Sequence, residues 1–232
     1  MDLIWDGLSR AFWLVVHGDA EILGVTVLSL GISGSATVLS LLIGIPLGTF
    51  LALNRFLGRG ILISAVNTGM GLPPVVVGLF ITITLWRNGP LGFLQILYTP
   101  LAMVVAQLII AAPVVTGLTV AAIQQLNPKL RLQILALGAS RVQMVWLLLR
   151  EARLPLLAAV MAGFGAVISE VGASMMVGGN IRHETQVLTT ATVLETSKGN
   201  FDVAIALSVL LLVLVYLVNV GLTFIQQGRR PL

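Results

Sequence analysis

Five stretches of the chain, Ile22–Leu51, Ile61–Trp86, Pro100–Ile123, Leu154–Val177 and Val203–Ile225, stay apolar for longer than a soluble core helix requires. About 20 such residues in succession let a helix cross a ~30 Å hydrocarbon layer. Backbone groups in lipid must bond within the chain, so each span is expected to be helical. Only 9% of the residues are charged, against about 25% in a soluble domain, which excludes a water-soluble fold. The expected class is all-α: a polytopic helical membrane protein in which residues 1–232 form one transmembrane domain, with five spanning helices and shorter helices at both faces. With no cysteine, neither a disulfide framework nor a thiolate metal site is open to it. The first 20 residues lack the basic start and small-residue cleavage site of a signal peptide, so the first span is expected to be an uncleaved insertion signal.

An odd number of spans puts the termini on opposite sides. Lysine and arginine favour cytoplasmic loops. Nine of them, Arg55, Arg59, Lys129, Arg131, Arg141, Arg150, Arg153, Arg229 and Arg230, fall on one side, with Arg10, Arg87, Arg182 and Lys198 on the other. The N-terminus is therefore expected outside and the C-terminus in the cytoplasm. The net charge of +4 belongs to these loops rather than to a nucleic-acid surface. Within residues 1–19 the apolar run is too short to cross; Ile4, Leu8, Phe12 and Val15 share one helical face and Asp2, Asp6 and Arg10 another, the pattern of a helix lying in the membrane interface. In the outer segment 178–202, Asn180, Arg182, Glu184, Thr185 and Lys198 surround Val187, Ala191 and Leu194, which fits an amphipathic helix or an ordinary surface loop.

Several positions inside the spans bear on function. Gly31 with Ser35, and Gly44 with Gly48, have the small-xxx-small spacing that lets helices approach closely. In GMGLPPVVVG, Pro74 removes an amide donor and disfavours helix at Pro73, so the second span is expected to break there. Backbone freed by such a break must be buried in protein or line a watery cavity, and interrupted spans point to substrate pathways. Asn67, one turn earlier, joins Pro73 and Pro74 as a candidate pathway residue. Glu170 is the one acidic residue inside an expected span, flanked by Ser169 and Ser174. An intramembrane carboxylate is a functional candidate by default; a gate and a carboxylate satisfied by neighbouring backbone both remain open, and direct ligation of an anion would be opposed by charge. His17 and His183 have no ligand pattern around them, and no GxxxxGK[ST] loop is present. No catalytic group, metal site or cofactor is expected on this chain; ATP and magnesium, if used, would be bound by another subunit.

Residues 127–142 are expected to form a short basic helix between spans three and four. Lys129 to Arg141 would make about three turns, with Leu130, Ile134 and Leu137 on one face, until Gly138 interrupts it. Here the chain resembles the permeases of ATP-binding-cassette importers, whose cytoplasmic signature runs Glu-Ala-Ala, three residues, Gly, nine residues, Ile-x-Leu-Pro. Gly138-Ala139-Ser140-Arg141 matches the glycine part and Leu154-Pro155 the end. Leu132, Gln133 and Ile134 stand where the family has Glu-Ala-Ala, and Pro155 comes four residues late, with Glu151 at the family's proline position. GLPPVVVGL at 71–79, ISEVGASMMVGGNI at 168–181 and TQVLTTATVLETSKGNFDVAIALS at 185–208 resemble segments of oxyanion permeases of the molybdate, sulfate and tungstate group, and most resemble those for tungstate.

The resemblance implies a type I importer permease in a bacterial or archaeal cytoplasmic membrane, working as a homodimer with two cytoplasmic ATPase subunits and an external binding protein. It assigns ATPase coupling to Lys129, Leu130, Ile134, Ala136, Leu137, Gly138, Ala139, Ser140 and Arg141. Since no lysine or arginine is expected within a span, a tetrahedral anion would pass along hydroxyls, amides and helix N-termini. Molybdate and sulfate remain alternative cargoes. A rival of another class is an ion-coupled secondary transporter with Glu170 carrying the proton.

Overall fold

The computed structural model describes residues 5, 7, 9 and 20–227. The expected interfacial helix over 1–19, His17 and the terminal Arg229 and Arg230 lie outside these residues, apart from Trp5, Gly7 and Ser9, which are helical. Gly7 is buried against Ile205.

Among the described residues the chain is helical, with no strand. The helices run α1 (Ala20–Leu53), α2 (Arg59–Met70), α3 (Pro74–Leu85), α4 (Pro100–Gln124), α5 (Pro128–Ala136), α6 (Arg141–Glu151), α7 (Arg153–Ile168), α8 (Gly172–Gly178), α9 (Leu188–Ser197) and α10 (Phe201–Gln227), with a short 3-10 turn at Gly92–Leu94. Helices α1, α4 and α10 are each long and apolar enough to cross a membrane. Two bent pairs, α2 with α3 and α6 with α7, bring the number to five.

Helix α1 packs along α4, and α4 in turn packs against α7 and α8. The approach of α1 to α4 is close because α1 presents small residues there: a Cβ on Gly44 would lie 2.8 Å from Val115, and one on Gly48 would lie 2.7 Å from the Thr116 carbonyl. Gly44 and Gly48 are thus spent on packing within the chain, whereas Gly31 and Ser35 are exposed. Ser29, Ser33, Thr37 and Ser40 are buried on α1. The hydroxyls of Ser29, Thr37 and Ser40 donate to α1's own carbonyls at 2.7 Å, which removes most of the cost of an unpaired buried hydroxyl.

The second span breaks where Pro73 and Pro74 require it: α2 and α3 meet at 100°, with Pro73 extended and Pro74 in the first turn of α3. Helix α3 buries Val77, Gly78, Ile81 and Leu85, while α2 buries nothing in the single chain.

The expected fourth span, Leu154–Val177, is not one helix. Helix α7 stops at Ile168, residues 169–171 are irregular, and α8 resumes at Gly172. At its other end α7 bends 71° from α6. No proline marks the inner break; Glu170 caps the restarted helix instead. Segment 178–202 also lies deeper than a surface loop would. Thr185, Leu188 and Thr190 are fully buried, and Leu188 and Ala191 pack with Val25, Phe164, Ile168 and Leu207. Its charged positions Arg182, Glu184 and Lys198 stay at the surface, together with Ile181, His183 and the 196–200 end of the segment.

Candidate functional site

The two broken spans meet at their breaks. A Cβ on Gly172, the first residue of α8, would lie 2.8 Å from Cγ2 of Val75 in the first turn of α3, and one on Gly78 would lie 2.8 Å from the Ala173 Cα. Pro73–Val75 and Glu170–Ala173 therefore form one seam in which two helices begin side by side. Unbonded N–H groups at a helix start carry partial positive charge. Glu170 answers this locally: it is 7% exposed, and its Oε1 accepts the Ala173 N–H at 2.8 Å. The Glu170 carbonyl accepts from Thr189 Oγ1 at 2.9 Å, which ties the break to α9. Of the two roles open to this carboxylate, the geometry supplies the backbone-satisfied one.

The other candidates divide by exposure. Asn67, Pro73 and Ser169 are exposed, and the Ser169 hydroxyl donates to the Gly165 carbonyl at 2.8 Å. Ser174 faces the interior, 1% exposed, and accepts from Gln107 Nε2 at 3.3 Å. Gln107 is a buried amide in the middle of α4 whose Oε1 has no hydrogen-bond partner. It was legible as the one polar break in LAMVVAQLII, yet it joins this cluster only through the fold. Ser29 does likewise, accepting the Leu188 N–H at 2.9 Å. The seam is thus backed by a buried polar layer from α1, α4, α8 and α9.

The docking candidates of residues 127–142 fold as two short helices rather than one. Asn127 caps α5 by accepting the Lys129 N–H at 2.9 Å. Helix α5 ends at Ala136, Gly138 turns the chain at φ +83°, and the Gly138 N–H donates to the Leu135 carbonyl at 3.0 Å. Ser140 then opens α6 through a reciprocal capping box with Gln143, so Arg141 belongs to the next helix. Ile134 is buried against Met144 and Leu148, with Leu130 and Ala139 beside it. Leu137 does not share that face: past the end of α5 it is 87% exposed, as are Leu132 and Val142 to lesser degrees. Lys129, Arg131, Ser140 and Arg141 are exposed around this apolar patch. Basic charge thus surrounds exposed leucines, with Ile134 anchoring the turn from beneath.

On the opposite face Arg182 grips Glu21 through two hydrogen bonds, one of them 2.6 Å. This partner holds the arginine's pKa above its usual value. Glu195 accepts from Asn200 and Lys198, which hold its pKa below the usual carboxylate value. Among the described residues no group of His, Asp or Glu is placed to hold a metal ion.

The chain matches the family described as binding-protein-dependent transport system inner membrane component over residues 44–231. It is 36% identical to the tungstate uptake system permease protein TupB of Peptoclostridium acidaminophilum, over 98% of this chain and 100% of that one. Identity to the TupB of Campylobacter jejuni is 35% over 94% and 92%. Identity to a probable anion ABC transporter permease protein of Haloferax volcanii is 39% over 85% and 88%. Molybdenum and sulfate permeases match at lower identity, 27% for a ModB of Haemophilus influenzae and 29% for a CysW of Synechocystis. Its fold is that of a chain of the inward-facing MetNI methionine ABC transporter, with a TM-score of 0.74 at 22% identity, covering 94% of this chain and 97% of that one.

Proposed function

This chain belongs to the family of inner-membrane components of binding-protein-dependent transport systems, and from that premise we propose that it carries tungstate into the cytoplasm as a homodimer, with molybdate and sulfate as secondary cargoes. It is a multi-pass permease subunit of an ABC importer. Such subunits are not enzymes, so the energy enters from a partner. Two ATPase subunits dock on the cytoplasmic surface, each receiving α5 and the Gly138 turn of one protomer. A binding protein delivers the anion to the opposite face, where the N-terminus lies. The full-length likeness to two tungstate permeases supports the cargo.

The observation that carries the mechanism is the meeting of the two breaks at Val75 and Gly172. A doubly charged tetrahedral anion crossing lipid needs donors and no buried counter-charge strong enough to trap it. Asn67 offers an exposed amide to such a route; Pro73, which has no N–H, makes the break beside it, and the Ser169 hydroxyl is engaged by the Gly165 carbonyl. Glu170 stays out of the route, because its charge is engaged by the α8 N-terminus; Ser174 holds the layer behind it. Nucleotide binding draws the two docking helices together and release separates them, shifting a two-state equilibrium between outward and inward openings. Membership of the importer permease family sets the ion-coupled alternative aside.

The test is transport in proteoliposomes holding this permease with its ATPase, supplied with the binding protein. Tungstate should accumulate only when ATP is present, and excess molybdate or sulfate should compete weakly. Preferential uptake of molybdate or sulfate would reassign the cargo, and uptake driven by an ion gradient without ATP would refute the coupling.

A further inference from the structure

Where α1, α4 and α6 come together at the basic face, a cavity of about 910 Å³ is lined by Arg55, Arg59, Arg131 and Arg141, with no carboxylate. Two of these guanidinium groups are held in place from behind: Arg59 Nε donates to the Leu51 carbonyl at 2.7 Å and Arg131 Nη1 to the Leu53 carbonyl at 2.8 Å. Each keeps further N–H donors of its planar fork. The cavity does not end in water on its membrane side. Leu53, Asn54 and Val145 also line an apolar furrow of about 340 Å³, which continues through Ile45 and Leu149 into a second of about 270 Å³ reaching Val160 and Ile225. From Leu53 to Ile45 the furrow follows α1 for about 12 Å, along helices that lie in the hydrocarbon layer.

We infer that this cavity and furrow bind one anionic phospholipid, its phosphate among the four arginines and an acyl chain along Ile45, Leu149 and Val160. The depth is right for a headgroup: α1 ends at Leu53 and α4 at Gln124, and Trp146, beside the furrow residue Val145, is 58% exposed with Arg150 stacked 5.4 Å from its ring centre. Tryptophan favours that level of the bilayer, and basic pockets between spans favour anionic lipid headgroups. A free anion or an acidic segment of the ATPase would use the arginines but would leave the furrow open, so the continuity of the two decides for lipid. Bound there, the lipid would brace α1 against α6, the helix that follows the docking turn, and so make coupling depend on membrane composition.

The test is native mass spectrometry of the full-length chain released from detergent with added phosphatidylglycerol or phosphatidylcholine. Phosphatidylglycerol should stay bound and phosphatidylcholine should not. The double variant Arg55→Gln/Arg141→Gln should weaken retention by about fivefold for each arginine removed, and Arg55→Lys/Arg141→Lys should keep most of it, which separates lost charge from lost fold. Leu149→Trp, which fills the furrow and leaves the arginines, should weaken retention independently. Equal binding of both lipids, undiminished retention in the glutamine variant, or displacement of the lipid by inorganic phosphate would overturn the inference. So would a glutamine variant that keeps its lipid and loses only the ATPase, since the cavity would then be a protein-docking surface.

Discussion

Glu170 shows what one residue does to a span. Its carboxylate lies in an apolar run that could have continued the helix, and by accepting the Ala173 N–H it allows the chain to stop at Ile168 and begin again. Glu170→Gln keeps an oxygen for that bond and should preserve thermal stability in detergent. Glu170→Leu leaves buried donors unmet and should cost about 1–3 kcal/mol, seen as a lower Tm together with lost uptake. Equal damage from both variants would assign the role to charge. Glu170 was legible as a candidate, because an acid in a span stands out. What it bonds to was not, since ISEVGASMM holds no proline and the partner is an amide that exists only once the helix has broken. At the end of α9 Glu195 titrates below the usual carboxylate range, first through Asn200 and then Lys198. Its folded-state pKa is depressed, so its contribution is present above the unfolded pKa of about 4.3 and disappears as pH falls through the lower folded value. Thermal scans should find Glu195→Gln less stable than the parent at neutral pH, with the gap closing under acid.

At the scale of elements, the seam of α3 with α8 is set by glycine. A valine at Gly78 would press on the Ala173 Cα, a backbone atom that cannot turn aside, so Gly78→Val should force the helices apart at a cost of about 1–3 kcal/mol, read as a fall in Tm. Gly138 is the opposite case. A Cβ there meets nothing within 4 Å, and only φ +83° resists it. Gly138→Val should therefore leave the bundle folded, strain the turn by about 1–2 kcal/mol and break the link between ATP hydrolysis and uptake; intact coupling would refute the docking role of this turn. The break of the second span was legible in GMGLPP because proline acts through its own covalent ring. The end of α5 was half legible: Gly138 announced it, but Ser140 and Gln143 also carried a capping-box spacing that moves Arg141 into the next helix and turns Leu137 outward. The burial of the first turn of α9 was hidden, because Thr189 and Thr190, which would be a surface pattern in water, here bond to the Glu170 and Val187 carbonyls inside the protein.

For the whole molecule, the uncovered length of α2 is the measure of what a single chain lacks. A helix that begins at Arg59, carries Ile61 at 76% exposure and buries no residue is expected to be sheathed by the second copy. The absence of cysteine makes the test clean. A single thiol at Asn67→Cys should give a covalent dimer on mild oxidation in membranes, while one at Phe224→Cys on lipid-facing α10 should not; monomer alone from both would remove α2 from the interface. A pairing of copies is implied only by resemblance, because residues that would meet a second chain look, in one sequence, like residues that meet lipid. The seam between the breaks also has a mechanical consequence. Since α3 and α8 touch at Gly78 and Ala173 while α2 leaves α3 at 100°, the paired half of the chain is a keel and α2 an oar. If the Gly138 turn is where a partner pushes, the stroke would be taken up at the break of residues 71–73, and the paired half would keep its place.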